Sequence, residues 1–182
     1  MKVALTGGIA CGKSLAAKYL NEFGIETIDA DDVVHELIPD ADERRRIAAE
    51  VFADPEKRKA LEAKIHPVVK DRIEAFFASG EGKTRVAVVP LLFEVRWEKN
   101  FDIICCVAST RESQIERMTA TRGMTLAEAE ARLAAQMPVE EKAKRSHYVI
   151  HNNGTAEELK AQAAAFLKFV TQKQMQPKLP ND

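Results

Sequence analysis

Gly7, Gly8, Ile9, Ala10, Cys11, Gly12, Lys13 and Ser14 spell G-x-x-x-x-G-K-S between the apolar run Lys2 to Thr6 and the helical pattern Ser14 to Phe23. A strand, a glycine-rich turn and a helix in that order constrain the fold more than any other feature of the chain. Glycines let successive N–H groups turn inward as a nest for an anion, and the helix beyond adds unsatisfied donors and a positive dipole end. Gly8 through Leu15 are therefore the candidate nucleotide-binding residues: Gly8, Ile9, Ala10, Cys11, Gly12, Lys13, Ser14 and Leu15. Lys13 supplies a compact positive charge for the β- and γ-phosphates of a nucleotide, and the Ser14 hydroxyl is the candidate ligand for Mg²⁺ bridging them. Cys11 is expected to contribute its backbone N–H, with the thiol pointing away and taking no part in chemistry.

Further strand-length apolar runs follow, at Gly24 to Asp29, Arg85 to Pro90, Phe101 to Val107 and Tyr148 to His151. Continuous apolar runs alternating with helical segments predict an α/β fold on five parallel strands covered on both faces. Helices are expected over Ser109 to Thr121, Met124 to Met137 and Thr155 to Gln172, with Thr125 and Glu128 forming a capping box. No strand is evident from Asp31 to Ser79, where Glu43 to Ala53, Pro55 to Lys64 and Pro67 to Ala78 read as three helices inserted over the sheet. One domain over residues 1–174 is expected, with core segments of about 1–30, 84–110 and 146–174. Residues 175–182, polar and carrying two prolines, read as a frayed tail.

The balance of 27 Lys plus Arg against 28 Asp plus Glu, a formal charge of -1, argues against a protein that coats nucleic acid. The longest apolar run, Val86 to Phe93, is too short to span a membrane, and the N-terminus lacks the pattern of a secretory signal. A cytoplasmic location is expected. Cys11 is isolated, Cys105 and Cys106 alternate across one strand, and the four histidines are scattered, so neither a disulfide framework nor a zinc site is anticipated.

The second strand ends in Asp29, Ala30, Asp31 and Asp32. Ligands of open α/β sheets bind beyond the carboxyl ends of strands, which makes Asp29 and Asp31 candidates to orient an acceptor hydroxyl or hold a metal-bound water. The alternative is that an aspartate of this run, Asp32 above all, caps the next helix.

GGIACGKS, IDADDVVH, KIHPVV, VVPLLFE, QIERMTATRG with ARLAAQMPVEEK, and VIHNNG, in that order, resemble the dephospho-CoA kinases from residue 1 to about residue 170. The resemblance implies a three-layer P-loop kinase fold with a five-stranded parallel sheet, an acceptor-binding helical region over about 31–80 and a mobile lid over about 111–145. It implies transfer of the ATP γ-phosphoryl group to the ribose 3′-hydroxyl of dephospho-CoA, with Mg²⁺. By matching position it makes Asp31 the base and a Mg²⁺ neighbour, with Lys13, Arg117 and Arg122 serving the phosphates. Asp29, His66, Phe93 and Glu94 fall on the acceptor side, and Asn152 and Gly154 near the adenine. A monomer acting on small molecules alone is favoured.

The sequence departs from the family's pattern in several places. Ala10-Cys11 stands where many members carry Gly-Ser, Leu15 where a small residue is usual, and Ser146-His147 where Ala-Asp is customary. The stretch from His35 to Glu43 is shorter than in most members, and Arg117 and Arg122 are one residue farther apart than in some. A kinase of another small acceptor and a non-catalytic nucleotide-binding module remain as alternatives, since fold and phosphate loop do not choose the acceptor.

Overall fold

A computed structural model describes residues 1–175, so the expected tail lies almost wholly outside the described residues. Five strands form one sheet in the order β2-β3-β1-β4-β5: β1 Lys2–Gly7, β2 Thr27–Asp29, β3 Arg85–Val88, β4 Ile103–Ala108 and β5 Tyr148–His151. β1 pairs in parallel with β3 (Val3 opposite Val86) and with β4 (Leu5 opposite Cys105), and β4 pairs in parallel with β5. Every residue of β3 and β4 is buried, the condition that continuous apolar runs predict. Cys105 and Cys106 accordingly point to opposite faces and are both buried and free.

The chain divides into two compact units, Met1–Thr27 with Gly82–Asp182, and Ile28–Glu81. In the first, α1 (Lys13–Glu22) packs against the last helix, Ala156–Met175. Leu5, Leu20, Val107, Phe166 and Val170 lie in its core, and Tyr148 meets Phe166 and Phe169 with ring centroids 5.1 Å apart in each pair.

The second unit contains α2 (Ala30–Leu37), α3 (Ala41–Ala53) and α4 (Pro55–Ala78). Asp40 and Asp54 cap α3 and α4, each carboxylate accepting two first-turn N–H groups. α4 corrects the expectation of two helices, because it runs through Pro67 without a break. Proline removes the hydrogen bond to the carbonyl four residues back, here that of Ala63, and both residues lie on the exposed face where water can satisfy that oxygen. Val69, Ile73 and Phe77, four apart, are the buried stripe of its second half.

The first unit also carries α5 (Arg111–Arg122), α6 (Leu126–Ala134) and α7 (Val139–Lys144), with α8 the terminal helix Ala156–Met175. The Thr125–Glu128 capping box forms as expected. α2 and α7 are elements that the sequence pattern does not reveal. From Pro90 to Trp97 the chain follows a set of turns, with Arg96 at a left-handed φ of 57°.

Candidate active site

The phosphate loop follows β1 through three positive-φ residues: Gly7 at 148°, Ala10 at 57° and Gly12 at 90°. A Cβ on Gly7 would collide with the Val107 carbonyl oxygen, and one on Gly12 with Nδ2 of Asn152, so backbone packing as well as φ demands glycine. Ala10 takes the left-handed conformation with a side chain present. Gly12 is the N-cap of α1 and offers its amides no side-chain acceptor, which leaves first-turn donors for an anion. Lys13 lies across the loop, its Nζ donating to the carbonyls of Gly8 at 2.8 Å and Gly7 at 3.2 Å. Ser14 is exposed on the second residue of α1, and Leu15 beside it is 36% exposed. The Cys11 side chain is fully buried, as expected. Burial pushes its thiol above the ordinary range, against the opposing pull of the Lys13 charge and of hydrogen bonds with Ser109.

The loop is held from behind by residues far away in sequence. Asn152 donates from Nδ2 to the Cys11 carbonyl at 2.9 Å, and Gln114 donates from Nε2 to the Ile9 carbonyl at 2.7 Å. Arg117 donates to the Ala10 carbonyl at 3.1 Å, Ser109 Oγ at 2.9 Å and the Asn152 carbonyl at 2.7 Å. One guanidinium thus joins the loop, the end of β4 and the segment after β5. Arg122, the last residue of α5, is exposed. Gly154 is also exposed; a Cβ there would strike the Glu158 carboxylate, which accepts the Thr155 N–H at 2.9 Å.

After β3 the chain meets α7. Phe93 is only 3% exposed, and the Arg145 guanidinium sits 4.3 Å from its ring centroid. Glu94 Oε1 accepts from Met137 N at 3.0 Å and Lys142 Nζ at 2.8 Å, while Lys142 also donates to the Pro90 carbonyl at 2.7 Å. Lys142 has 0% exposure and Glu94 24%, so the cation is withdrawn from water and the anion partly so. A cavity of about 160 Å³ opens between Gly8 and Ile9 of the loop and the Gln136–Glu140 segment.

In the other unit, Asp29 and not Asp32 caps α2, its Oδ1 accepting the Asp31 N–H at 2.9 Å. This corrects the expected cap: Asp31 and Asp32 stand inside the first turn, where their charges favour the helix N-terminus. Asp31 is exposed. His66 and Pro67 lie in the middle of α4, so no helix begins at Pro67 as the expected Pro67 to Ala78 element required.

The dephospho-CoA kinase family model matches residues 1–43 and 40–158. The chain belongs to the dephospho-CoA kinase family. It is 39% identical over 181 residues to a dephospho-CoA kinase of Geobacter sulfurreducens, covering 86% of this chain and 92% of the relative. It is 37% identical over 187 residues to one of Symbiobacterium thermophilum, covering 90% and 78%. Among solved structures, TT1252 from Thermus thermophilus superposes with a TM-score of 0.79 at 33% identity, over 93% of this chain and 97% of that one. Shikimate kinase from Acinetobacter baumannii, at 15% identity and a TM-score of 0.64 over 96% and 95% of the two chains, shares the fold. The chain is thus a phosphotransferase of the P-loop kinase type, with ATP as donor. The two matched pieces overlap at residues 40–43, within the His35 to Glu43 stretch. No described helix is long and apolar enough to cross a membrane.

Sequence reasoning missed Gln114 and Lys142. Gln114 is a buried polar residue on α5, and only its place on the helix's inner face could have flagged it. Lys142 falls in the charged string VEEKAK, which reads as a solvated helix face.

Proposed function

We propose that the protein transfers the γ-phosphoryl group of ATP to the ribose 3′-hydroxyl of dephospho-CoA, giving CoA and ADP. The observation that carries the reading is an intact Gly12-Lys13-Ser14 loop, open at its helix amides, on a chain whose family match extends to residue 158. Amides of the Gly8–Leu15 loop hold the β- and γ-phosphates, and Lys13 leaves the carbonyls it now holds to follow the charge on the transferring group. Ser14 is the one loop residue with a hydroxyl, and it is exposed. The described residues hold no cluster of three His, Cys, Asp or Glu side chains able to cage a metal. Ser14 and Asp31 are the residues we assign to hold Mg²⁺, with phosphate oxygens and water completing its shell. Mg²⁺ would supply charge neutralisation at the bridging phosphate oxygens.

Asp31 is the group we assign to orient the acceptor hydroxyl and take its proton. Its exposed position in the first turn of α2 leaves the carboxylate accessible to a substrate. Asp29 is assigned mainly to fix that turn through its cap. Arg122 is the lid arginine we assign to the phosphates; Arg117 serves them through the loop that it braces. His66, Phe93 and Glu94 are assigned to the acceptor side, Phe93 and Glu94 by shaping the turn after β3. Asn152 and Gly154 border the adenine. A monomer in the cytoplasm fits this chemistry.

The test is phosphoryl transfer by purified protein with ATP, Mg²⁺ and a panel of acceptors: dephospho-CoA, nucleoside monophosphates and shikimate. The reading expects dephospho-CoA to give the highest kcat/KM. A higher value with another acceptor, or nucleotide binding without turnover on any, overturns it.

A further inference from the structure

Gln136 lines the cavity of about 160 Å³ beside Gly8 and Ile9, and its Oε1 is buried with no hydrogen-bond partner among the described residues. A buried acceptor without a partner lowers stability, and an apolar side chain of the same length would remove that penalty. A bound ligand or an ordered water is what can satisfy such a group. The segment carrying it is also held in place by charge. Glu94 accepts the N–H of Met137, the next residue, and the same carboxylate oxygen is fixed by the fully buried Lys142 ammonium. Lys142 is tied in turn to the Pro90 carbonyl, and Thr6 Oγ1, one residue before the phosphate loop begins, donates to that same carbonyl at 3.3 Å. Arg145 adds a second brace, its guanidinium lying on Phe93 and pairing with Glu98 at 2.8 Å. Two cations of α7 and its C-cap thus clamp the Met137 turn onto the chain that leaves β3.

We infer that Gln136 is a further substrate-contacting residue, and that Lys142, acting through Glu94, is the positioning residue that holds its segment against the cavity beside the phosphate loop. The cavity borders Gly8 and Ile9, which we assign to the phosphates of ATP, and a fully ionised triphosphate offers no hydrogen-bond donor; we therefore assign Oε1 to a hydroxyl of the alcohol substrate or a water bound with it. The role therefore falls on the acceptor side of the reaction. This inference rests on the reading of the chain as a kinase of dephospho-CoA.

The experiment uses the full chain with ATP, Mg²⁺ and dephospho-CoA, measuring kcat, both KM values, the Kd of ATP and Tm for Gln136→Met, the double variant Glu94→Gln/Lys142→Met, and the triple variant. Gln136→Met is expected to keep or raise Tm, to lose at least tenfold in kcat/KM for dephospho-CoA, and to bind ATP within threefold of the parent. The double variant removes both charges together and so leaves no orphaned ion; it is expected to lose activity comparably, with no further loss when Gln136→Met is added. Activity of Gln136→Met within threefold of the parent, or a loss that merely follows a fall in Tm, overturns the contact. A double variant with undiminished activity, or a triple variant in which the losses multiply, overturns the positioning role. Should the double variant fail to fold, Gln136→Met alone decides, a parallel fall in its Tm counting against the inference. A parent protein inactive on dephospho-CoA sinks the kinase reading itself, whereas an active parent with an unaffected Gln136→Met sinks only this inference.

Discussion

Replacing Arg117 with alanine removes a guanidinium that makes three hydrogen bonds, to the Ala10 carbonyl, Ser109 Oγ and the Asn152 carbonyl. Ser109 and Asn152 are buried, at 5% and 8% exposure, so water replaces these bonds poorly. Each acceptor left unpaired costs about 1–3 kcal/mol, and the Asn152 carbonyl stays partly satisfied because Ser109 Oγ donates to it at 2.7 Å. The sum is about 3 kcal/mol, or a fall in Tm of roughly 6–12 °C for a chain of this size. Differential scanning calorimetry without nucleotide reads this directly. ATP affinity should fall as well, since Ala10 belongs to the loop, and Arg117→Lys should recover little because an ammonium cannot fork between three acceptors. A Tm within 2 °C of the parent, with only kcat reduced, would refute the bracing role and return Arg117 to direct contact with phosphate.

Ala10 holds a left-handed φ of 57°. Relief of that strain in Ala10→Gly, offset by the added freedom of glycine in the unfolded chain, should stabilise the protein by up to ~1 kcal/mol, measured by urea denaturation; destabilisation would show that the Ala10 side chain makes a contact worth more than the strain. Three buried thiols set an alkaline limit. Burial raises Cys11, pushes Cys106 up to about 12, and raises Cys105 well above its ordinary value of 9.0. A raised thiol stabilises the fold fully below the unfolded value, and that contribution is lost as pH climbs from about 9 towards 12. Stability should therefore decline over that window, less steeply in Cys106→Ala, and iodoacetamide at pH 8 should label the folded protein slowly; rapid labelling of Cys11 would contradict its burial.

The sheet was legible because β1, β3 and β4 are continuous apolar runs, a pattern that strands covered on both faces impose. The phosphate loop and the Thr125–Glu128 box were legible because both are local, their bonds closing within a few residues. Pro67 misled because proline is read as a helix boundary, whereas on an exposed helix face the carbonyl it leaves without a partner can bond to water and the helix continues. The bracing of the loop could not be read. Arg117, Gln114 and Asn152 reach Ala10, Ile9 and Cys11 across separations of 107, 105 and 141 residues, and nothing in the local pattern of an arginine tells a phosphate ligand from a loop brace. Lys142 was hidden for a similar reason. Two glutamates before it suggest a solvated helix face, and partners far off in sequence, Glu94 and the Pro90 carbonyl, explain its burial.

Asp31 is assigned the acceptor and the loop the donor, and Asp31→Asn separates the two roles most directly. Titration of this variant with ATP and Mg²⁺, alongside steady-state turnover on dephospho-CoA, should give an ATP Kd within threefold of the parent and a kcat lower by roughly 10²–10⁴-fold. Unchanged turnover would contradict the assignment, as would a loss of ATP binding that accounts for the whole defect.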